Sequence, residues 1–361
     1  MQQQLIKMPH ADIVRLNRDY QKVAKAVRLV YVNDTMPGIL RVRKGKGFAY
    51  TDAAKRRIDR EHLLRIKKLA IPPAWTRVWI CPLENGHIQA TGYDIRSRKQ
   101  YRYHTLWSEA RNETKFHRLY EFGKVLPAIR ARVENDLARR DLCRDKVLAT
   151  VISVIERTYI RVGSEDYEKL YGSYGITTLK DKHVEISGGA IKFSFIGKKK
   201  IAHAITLKNK RLAHVIKQCR DIPGQELFQY YDPDGTRHGI DSGMVNDYIR
   251  EASAGDFTAK DFRTWAGSMN LLRSLKSLDQ ALTDTARKKN VLAALDEVSK
   301  KLGNTRAVCR KYYVHPGLIR LYEEASLDRY LRELDAIEDP DGITALTSDE
   351  KILMRILKAV M

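Results

Sequence analysis

His183-Val184-Glu185-Ile186-Ser187-Gly188-Gly189-Ala190-Ile191-Lys192-Phe193-Ser194-Phe195-Ile196-Gly197-Lys198-Lys199-Lys200-Ile201-Ala202-His203-Ala204-Ile205-Thr206-Leu207 reads as a three-stranded meander: His183–Ile186, Ala190–Ile196 and Ile201–Leu207 are joined by a Ser187-Gly188-Gly189 turn and a Gly197-Lys198-Lys199 turn. Its neighbours are helical. From Lys146 to Tyr159 the residues Val147, Leu148, Val151, Ile152, Val154, Ile155 and Tyr159 fall at helical spacing, a strongly buried helix that delivers Arg161-Val162-Gly163 at its end. Helices dominate from about Ser108 onward and resume beyond the meander, so the larger part of the chain is mainly α with one small sheet.

The N-terminal part has another grain. Residues Ala11 to Val30 read as a loosely attached helix, and Gly38 to Tyr50 as a basic hairpin turning at Gly45-Lys46-Gly47. Those glycines lack the spacing of a nucleotide loop. Asp59 to Leu69 is a short amphipathic helix stopped at Ile71-Pro72-Pro73, and strands follow around Val78–Cys81 and His87–Thr91 across a Glu84-Asn85-Gly86 turn. The predicted class is α+β, with a β-rich domain over residues 1–105 and a larger helical domain over 106–361. The Asp232-Pro233-Asp234-Gly235 and Asp339-Pro340-Asp341-Gly342 stretches read as turns, because each lacks the further ligands of a calcium loop.

Lys and Arg outnumber Asp and Glu by 66 to 44, a net charge of +22. Such an excess repels itself unless a polyanion relieves it, which makes nucleic acid the leading partner of either an enzyme or a basic binding surface. The cysteines Cys81, Cys143, Cys219 and Cys309 are far apart and form no metal-binding pair, so neither zinc nor a disulfide framework is expected. No apolar run is long enough to span a membrane, and the N-terminus lacks the pattern of a signal peptide.

Chemistry concentrates at Gly303-Asn304-Thr305-Arg306-Ala307-Val308-Cys309-Arg310-Lys311-Tyr312-Tyr313-Val314-His315-Pro316, where a short helix starting near Thr305 would carry a tyrosine. An unaided phenol with a pKa near ~10 is a poor nucleophile, so cations must come from elsewhere in the chain. A phosphodiester under attack gathers charge on its non-bridging oxygens, and arginine forks match an oxygen pair. Arg161 and Arg263 are candidates, although each alone is an ordinary surface arginine. Lys198 is a turn residue, a phosphate clamp or a proton donor to a leaving alkoxide, and Asn304 a hydrogen-bond donor or a helix cap.

Taken in order, Ile160-Arg161-Val162-Gly163, Thr178 to Ile186, Phe195-Ile196-Gly197-Lys198, Lys260-Asp261-Phe262-Arg263-Thr264-Trp265 and Cys309-Arg310-Lys311-Tyr312-Tyr313 resemble the motifs of type IB DNA topoisomerases, in the compact branch found in poxviruses and bacteria. The resemblance covers most of the chain. It implies that Tyr313 attacks a DNA phosphate and is joined to the 3′-phosphoryl end, that Arg161 and Arg263 clamp the non-bridging oxygens, and that Lys198, with help from Arg161, protonates the departing 5′-oxygen. Supercoils of either sign would relax with no ATP, no metal and no cofactor. Many members carry histidine where this chain has Asn304, which implies a purely electrostatic role there. Tyr312 is a rival by composition; the register of the family favours Tyr313.

The segment from Arg98 to Tyr103 resembles the family's DNA-reading strand, with Gln100 meeting a base edge and Arg98, Tyr101 and Tyr103 the backbone, while Tyr167, Lys182 and His183 would add contacts, His183 being equally a satisfied strand histidine. The resemblance further implies a fold of the tyrosine recombinase and type IB topoisomerase kind. It implies a monomer closing as a clamp on double-stranded DNA, located in the cytoplasm on the nucleoid, or in the virion of a virus. A tyrosine recombinase is the alternative, and two features oppose it: Lys260 stands where recombinases carry histidine, and the N-terminal domain is β-rich.

Overall fold

A computed structural model of the chain describes residues 19–45, 47–95, 97–279, 281–334 and 344–361. It divides into two compact units, Met1–Arg118 and Leu119–Met361. The turn expected at Asp339 to Gly342 and the first residues of the expected N-terminal helix lie outside the described residues.

In the first unit the helix α1 covers Tyr20–Ala26, capped by the Asp19 carboxylate on the N–H groups of Gln21 and Lys22. It stops short of the expected Val30 because Arg28 turns left-handed (φ 58°) and Val30 pairs with Gly86 as an isolated bridge. Nor is it loosely attached, since Val23, Ala24 and Leu29 are buried against Trp107 and Ala110.

Strands β1 (Ile39–Lys44), β2 (Gly47–Thr51), β3 (Thr76–Ile80), β4 (Ile88–Tyr93) and β5 (Lys99–Tyr103) form an antiparallel sheet in the order β2-β1-β3-β4-β5. Helix α2 (Arg60–Lys68) contributes Ile66 to the apolar cluster of Ile39, Val78, Ile80 and Ala90. Gly38 permits a tight crossing there, because a Cβ would lie 2.1 Å from the Trp79 indole nitrogen. The order leaves β5 as an edge strand, open along one side.

Helix α3 (Thr105–Leu137) contains the division between the units. The second unit has one large core built around α4 (Arg144–Thr158), whose residues from Lys146 to Ile155 are all buried. Beside it lie α5 (Glu165–Tyr171) and the meander β6 (Val184–Ser187), β7 (Ala190–Ile196) and β8 (Ala202–Lys208), paired antiparallel in chain order. The alternation of β7 buries Ile191, Phe193 and Phe195.

After α6 (Lys210–Arg220), strands β9 (Gln229–Tyr231) and β10 (Arg237–Gly239) pair across the expected Asp232–Gly235 turn. Helices α7 (Ser242–Ser253), α8 (Ala259–Lys276), α9 (Asp284–Leu302), α10 (Arg306–Tyr312), α11 (Pro316–Glu323), α12 (Asp328–Glu333) and α13 (Ser348–Val360) complete the unit. Helix α13 is locked to the core by Glu350, which takes two hydrogen bonds from Arg130 at 2.7 and 2.8 Å and one from the Trp265 indole at 3.0 Å. Among the described residues no helix is long and apolar enough to cross a membrane.

Candidate active site

Three separate segments converge on Arg161, Arg263 and Tyr313. Helix α4 ends at Tyr159 in the left-handed region (φ 57°), and the following backbone is held by Ile176, whose N–H donates to the Arg161 carbonyl, and by Thr177, whose N–H donates to that of Val162, both at 2.8 Å. This fixes where the Arg161 side chain starts. Its guanidinium donates to the Gly303 carbonyl at 3.0 Å and to Asn304 Oδ1 at 2.6 Å.

Gly303 and Asn304 terminate α9. Gly303 is left-handed (φ 58°), its N–H donates to Lys300 and that of Asn304 to Ser299, the two bonds of a Schellman turn. Asn304 is therefore not the cap of the next helix; Thr305 is, through its side chain on the Val308 N–H. The amide oxygen of Asn304 is occupied by Arg161, which makes it an orienter of that guanidinium.

Arg263 sits at the start of the second turn of α8, behind a capping box in which Asp261 accepts from the Thr258 N–H and hydroxyl. It is 4% exposed. Its guanidinium donates to the carbonyl of Leu302 at 2.7 Å and to that of Tyr159, while its Nε has no hydrogen-bond partner among the described residues. A buried N–H left open costs about 1–3 kcal/mol unless a ligand completes it. Burial and the neighbouring Arg161 charge lower the Arg263 pKa to about 10, with Tyr313 pulling the other way, so it is still charged at neutral pH. Burial also lowers that of Arg161.

Tyr313 follows α10, and its ring centre lies 5.2 Å from the Arg263 guanidinium carbon. Gly267, one turn beyond Arg263 on α8, makes this approach possible, because a Cβ there would stand 2.3 Å from the Tyr313 carbonyl oxygen. The next turn is tied to the same helix through the His315 N–H on Ser268 Oγ at 3.2 Å. Tyr312 instead is exposed, with the Lys311 ammonium 5.4 Å from its ring.

Lys198 stands apart from this group. It is exposed in a short helical turn, Lys198–Lys200, in which Lys199 (φ 64°) and Lys200 (φ 61°) are left-handed, and its ammonium lies 5.8 Å from the Tyr167 ring centre. It does line one small cavity with Arg161, Tyr174 and His203. His203 was not singled out in the sequence, yet it fills the space between the hairpin and the end of α9: a Cβ on Gly197 would lie 2.7 Å from its ring, and one on Gly303 2.5 Å. Burial, and then the charges of Arg161 and Arg263, lower its pKa and keep it neutral. The signal was available in the two-residue period of β8, which turns His203, Ile205 and Leu207 to the same side.

Among the expected DNA contacts, Tyr101 and Tyr103 are exposed on one face of β5 and stack with ring centres 5.7 Å apart. Arg98 is paired with Asp94 at 2.6 Å, and Gln100 donates to the same carboxylate at 3.1 Å. In the second unit Tyr167 and Lys182 are exposed. His183 follows the reading of a satisfied histidine, in a turn and not in a strand. It lies in the turn Asp181–His183, buried against Tyr174 with its Nδ1 accepting from the Lys180 N–H at 3.0 Å, because the chain must reverse there to enter β6. Among the described residues no cluster of His, Cys, Asp or Glu could hold a metal ion.

Two family models match the chain: the catalytic core of eukaryotic DNA topoisomerase I over residues 99–336 and the N-terminal domain of bacterial DNA topoisomerase IB over residues 47–94. The chain is 34% identical to DNA topoisomerase 1B of Acanthamoeba polyphaga mimivirus over 90% of its length and 95% of that protein. To DNA topoisomerase 1B of Vaccinia virus it is 21% identical, over 64% of its length and 72% of that protein. A solved structure of the XerH site-specific recombinase bound to difH substrate is 18% identical, covering 56% of this chain and 52% of that one with a TM-score of 0.35, a likeness too slight to argue from.

Proposed function

Because the chain belongs to the type IB DNA topoisomerases, we propose that it relaxes positively and negatively supercoiled DNA by cutting and resealing one strand through Tyr313, with neither ATP nor metal. The observation that carries the reading is the pocket in which Arg161, Arg263 and Tyr313 meet, with the buried Arg263 Nε without a partner among the described residues. A non-bridging phosphate oxygen is a ligand of the right charge and hydrogen-bonding type to complete it.

In the proposed reaction the Tyr313 phenol gives up its proton to solvent as its oxygen bonds to phosphorus, the bond to the 5′-oxygen breaks, and that oxygen takes a proton from Lys198 and leaves as the 5′-hydroxyl. The 3′-phosphotyrosine keeps the energy of the broken bond, and the reverse attack by the 5′-hydroxyl reseals the strand and releases the phenol. The protein would act as a monomer that closes as a clamp on duplex DNA, with log K falling by ~0.9 per phosphate neutralised as log salt rises.

Supercoiled plasmid incubated with the protein in EDTA and without ATP is expected to give a ladder of relaxed topoisomers. That ladder should vanish with Tyr313→Phe and persist with Tyr312→Phe. A requirement for magnesium, or strand exchange between two cognate sites, would contradict the reading.

A further inference from the structure

The turn that leads into β5 holds an arrangement the catalytic pocket does not use. Asp94 closes it, donating its N–H to the Arg98 carbonyl at 3.0 Å and accepting from the Ser97 N–H at 2.9 Å. Its carboxylate accepts the Arg98 N–H at 3.1 Å, Arg98 Nε at 2.8 Å, Arg98 Nη2 at 2.6 Å and Gln100 Nε2 at 3.1 Å. An ionised carboxylate only accepts, so the nitrogen of the Gln100 amide, and never its oxygen, must face Asp94. One of the two amide hydrogens is thereby engaged. The other hydrogen and Oε1 meet no protein partner among the described residues, and β5 is the open edge of its sheet.

We infer that Asp94 is a specificity-determining residue: it holds the Gln100 amide in the single orientation that offers one acceptor beside one donor to a DNA base. In the major groove that pair matches adenine, whose N6 amino group donates and whose N7 accepts. Guanine offers two acceptors there, O6 and N7, and would need two donors, one of which is held by Asp94. The inference rests on the proposed reading of Gln100 as a base contact. Asp94 acts through Gln100 and needs no contact with DNA.

The test uses the full chain and a duplex pool randomised around the cleavage position, with covalent complexes trapped in detergent and the cut strands sequenced. A parallel selection of bound duplexes with Tyr313→Phe reads base preference even if no strand is cut. The unsubstituted protein is expected to prefer adenine at one position by roughly fivefold or more, the lower end of what a bidentate contact discriminates. Gln100→Ala should flatten that position alone.

Asp94→Ala should flatten it too, and Asp94→Asn, which can also donate to a flipped amide, should weaken the preference by about threefold. Arg98→Gln leaves Asp94 and Gln100 in place and should keep the adenine preference even where total adduct falls. Full preference in both Asp94 variants, with loss in Gln100→Ala, would overturn the role of Asp94. A profile unchanged by Gln100→Ala would overturn the base contact itself. Loss of preference in Arg98→Gln would assign the effect to the turn and sink the proposal.

Discussion

In the proposed reaction Arg263 and Lys198 serve the same phosphate, and the fold treats them oppositely. Arg263 is buried, bonded to two backbone carbonyls and fixed against Tyr313, whereas Lys198 is exposed on a hairpin with its ammonium beside Tyr167. A group that stabilises developing charge works best when its orientation is settled before substrate arrives. Burial and the Arg161 charge lower the Arg263 pKa to about 10, so keeping it charged in the pocket costs the fold stability. For a base with a lowered pKa that cost is fully present below pH 10 and fades as the pH rises above about 10. A proton donor has a different task, since it is useful only when a leaving oxygen is in place. An exposed hairpin suits a group that DNA itself brings into position.

The contrast can be broken from either side. On the rigid side, Arg263→Lys keeps the charge but cannot hold both carbonyls and a phosphate oxygen, and single-turnover cleavage of a duplex oligonucleotide is expected to slow by about 10²–10³-fold. On the exposed side, Lys198→Ala is expected to slow the same step by about 10²-fold, with recovery on a substrate whose 5′-bridging oxygen is sulfur, a leaving group that needs no proton. Failure of the sulfur substrate to recover the rate would remove Lys198 from the acid role, while recovery in Arg263→Lys would erase the distinction.

Asn304→Ala should show a smaller loss, about tenfold or one lost hydrogen bond to a charged group, because the Gly303 carbonyl still holds Arg161. Glu350→Gln is expected to leave the chemistry nearly intact and act on stability, lowering it by about 3 kcal/mol in urea titration through the broken pairing with Arg130. Burial alone would raise the Glu350 carboxyl, yet Arg130 holds it below its ordinary value. This contribution is therefore present above pH 4.5 and lost as the pH falls below it.

Legibility in the sequence followed the same divide between regular and irregular backbone. The meander and the helix over Arg144–Thr158 were readable because their periods are long and uninterrupted, and Arg161 was readable from the helix end that presents it. Strands β9 and β10 were not, because three residues each carry no period; only the turn between them left a signal. The N-terminal helix was overextended because Leu29 and Val30 continue an apolar pattern, while the left-handed Arg28 that ends the helix has no mark in side-chain chemistry.

In the site, residue types pointed to the arginines and tyrosines, but the partnership of Asn304 with Arg161 depends on a Schellman turn and a contact across 143 positions. Of the two readings of His183, the satisfied histidine is the one found, and it comes from the turn before β6, where a ring nitrogen serves the backbone.

Gly267 carries no functional group, yet it sets how stiff the attachment of a captured DNA end would be. With the Tyr313 carbonyl seated against α8 where even a methyl group would collide, the phosphotyrosine of the proposed reaction would stand on a post, not on a tether. Swivelling would then belong wholly to the released end, and the broken ends would find each other again because one of them had never moved.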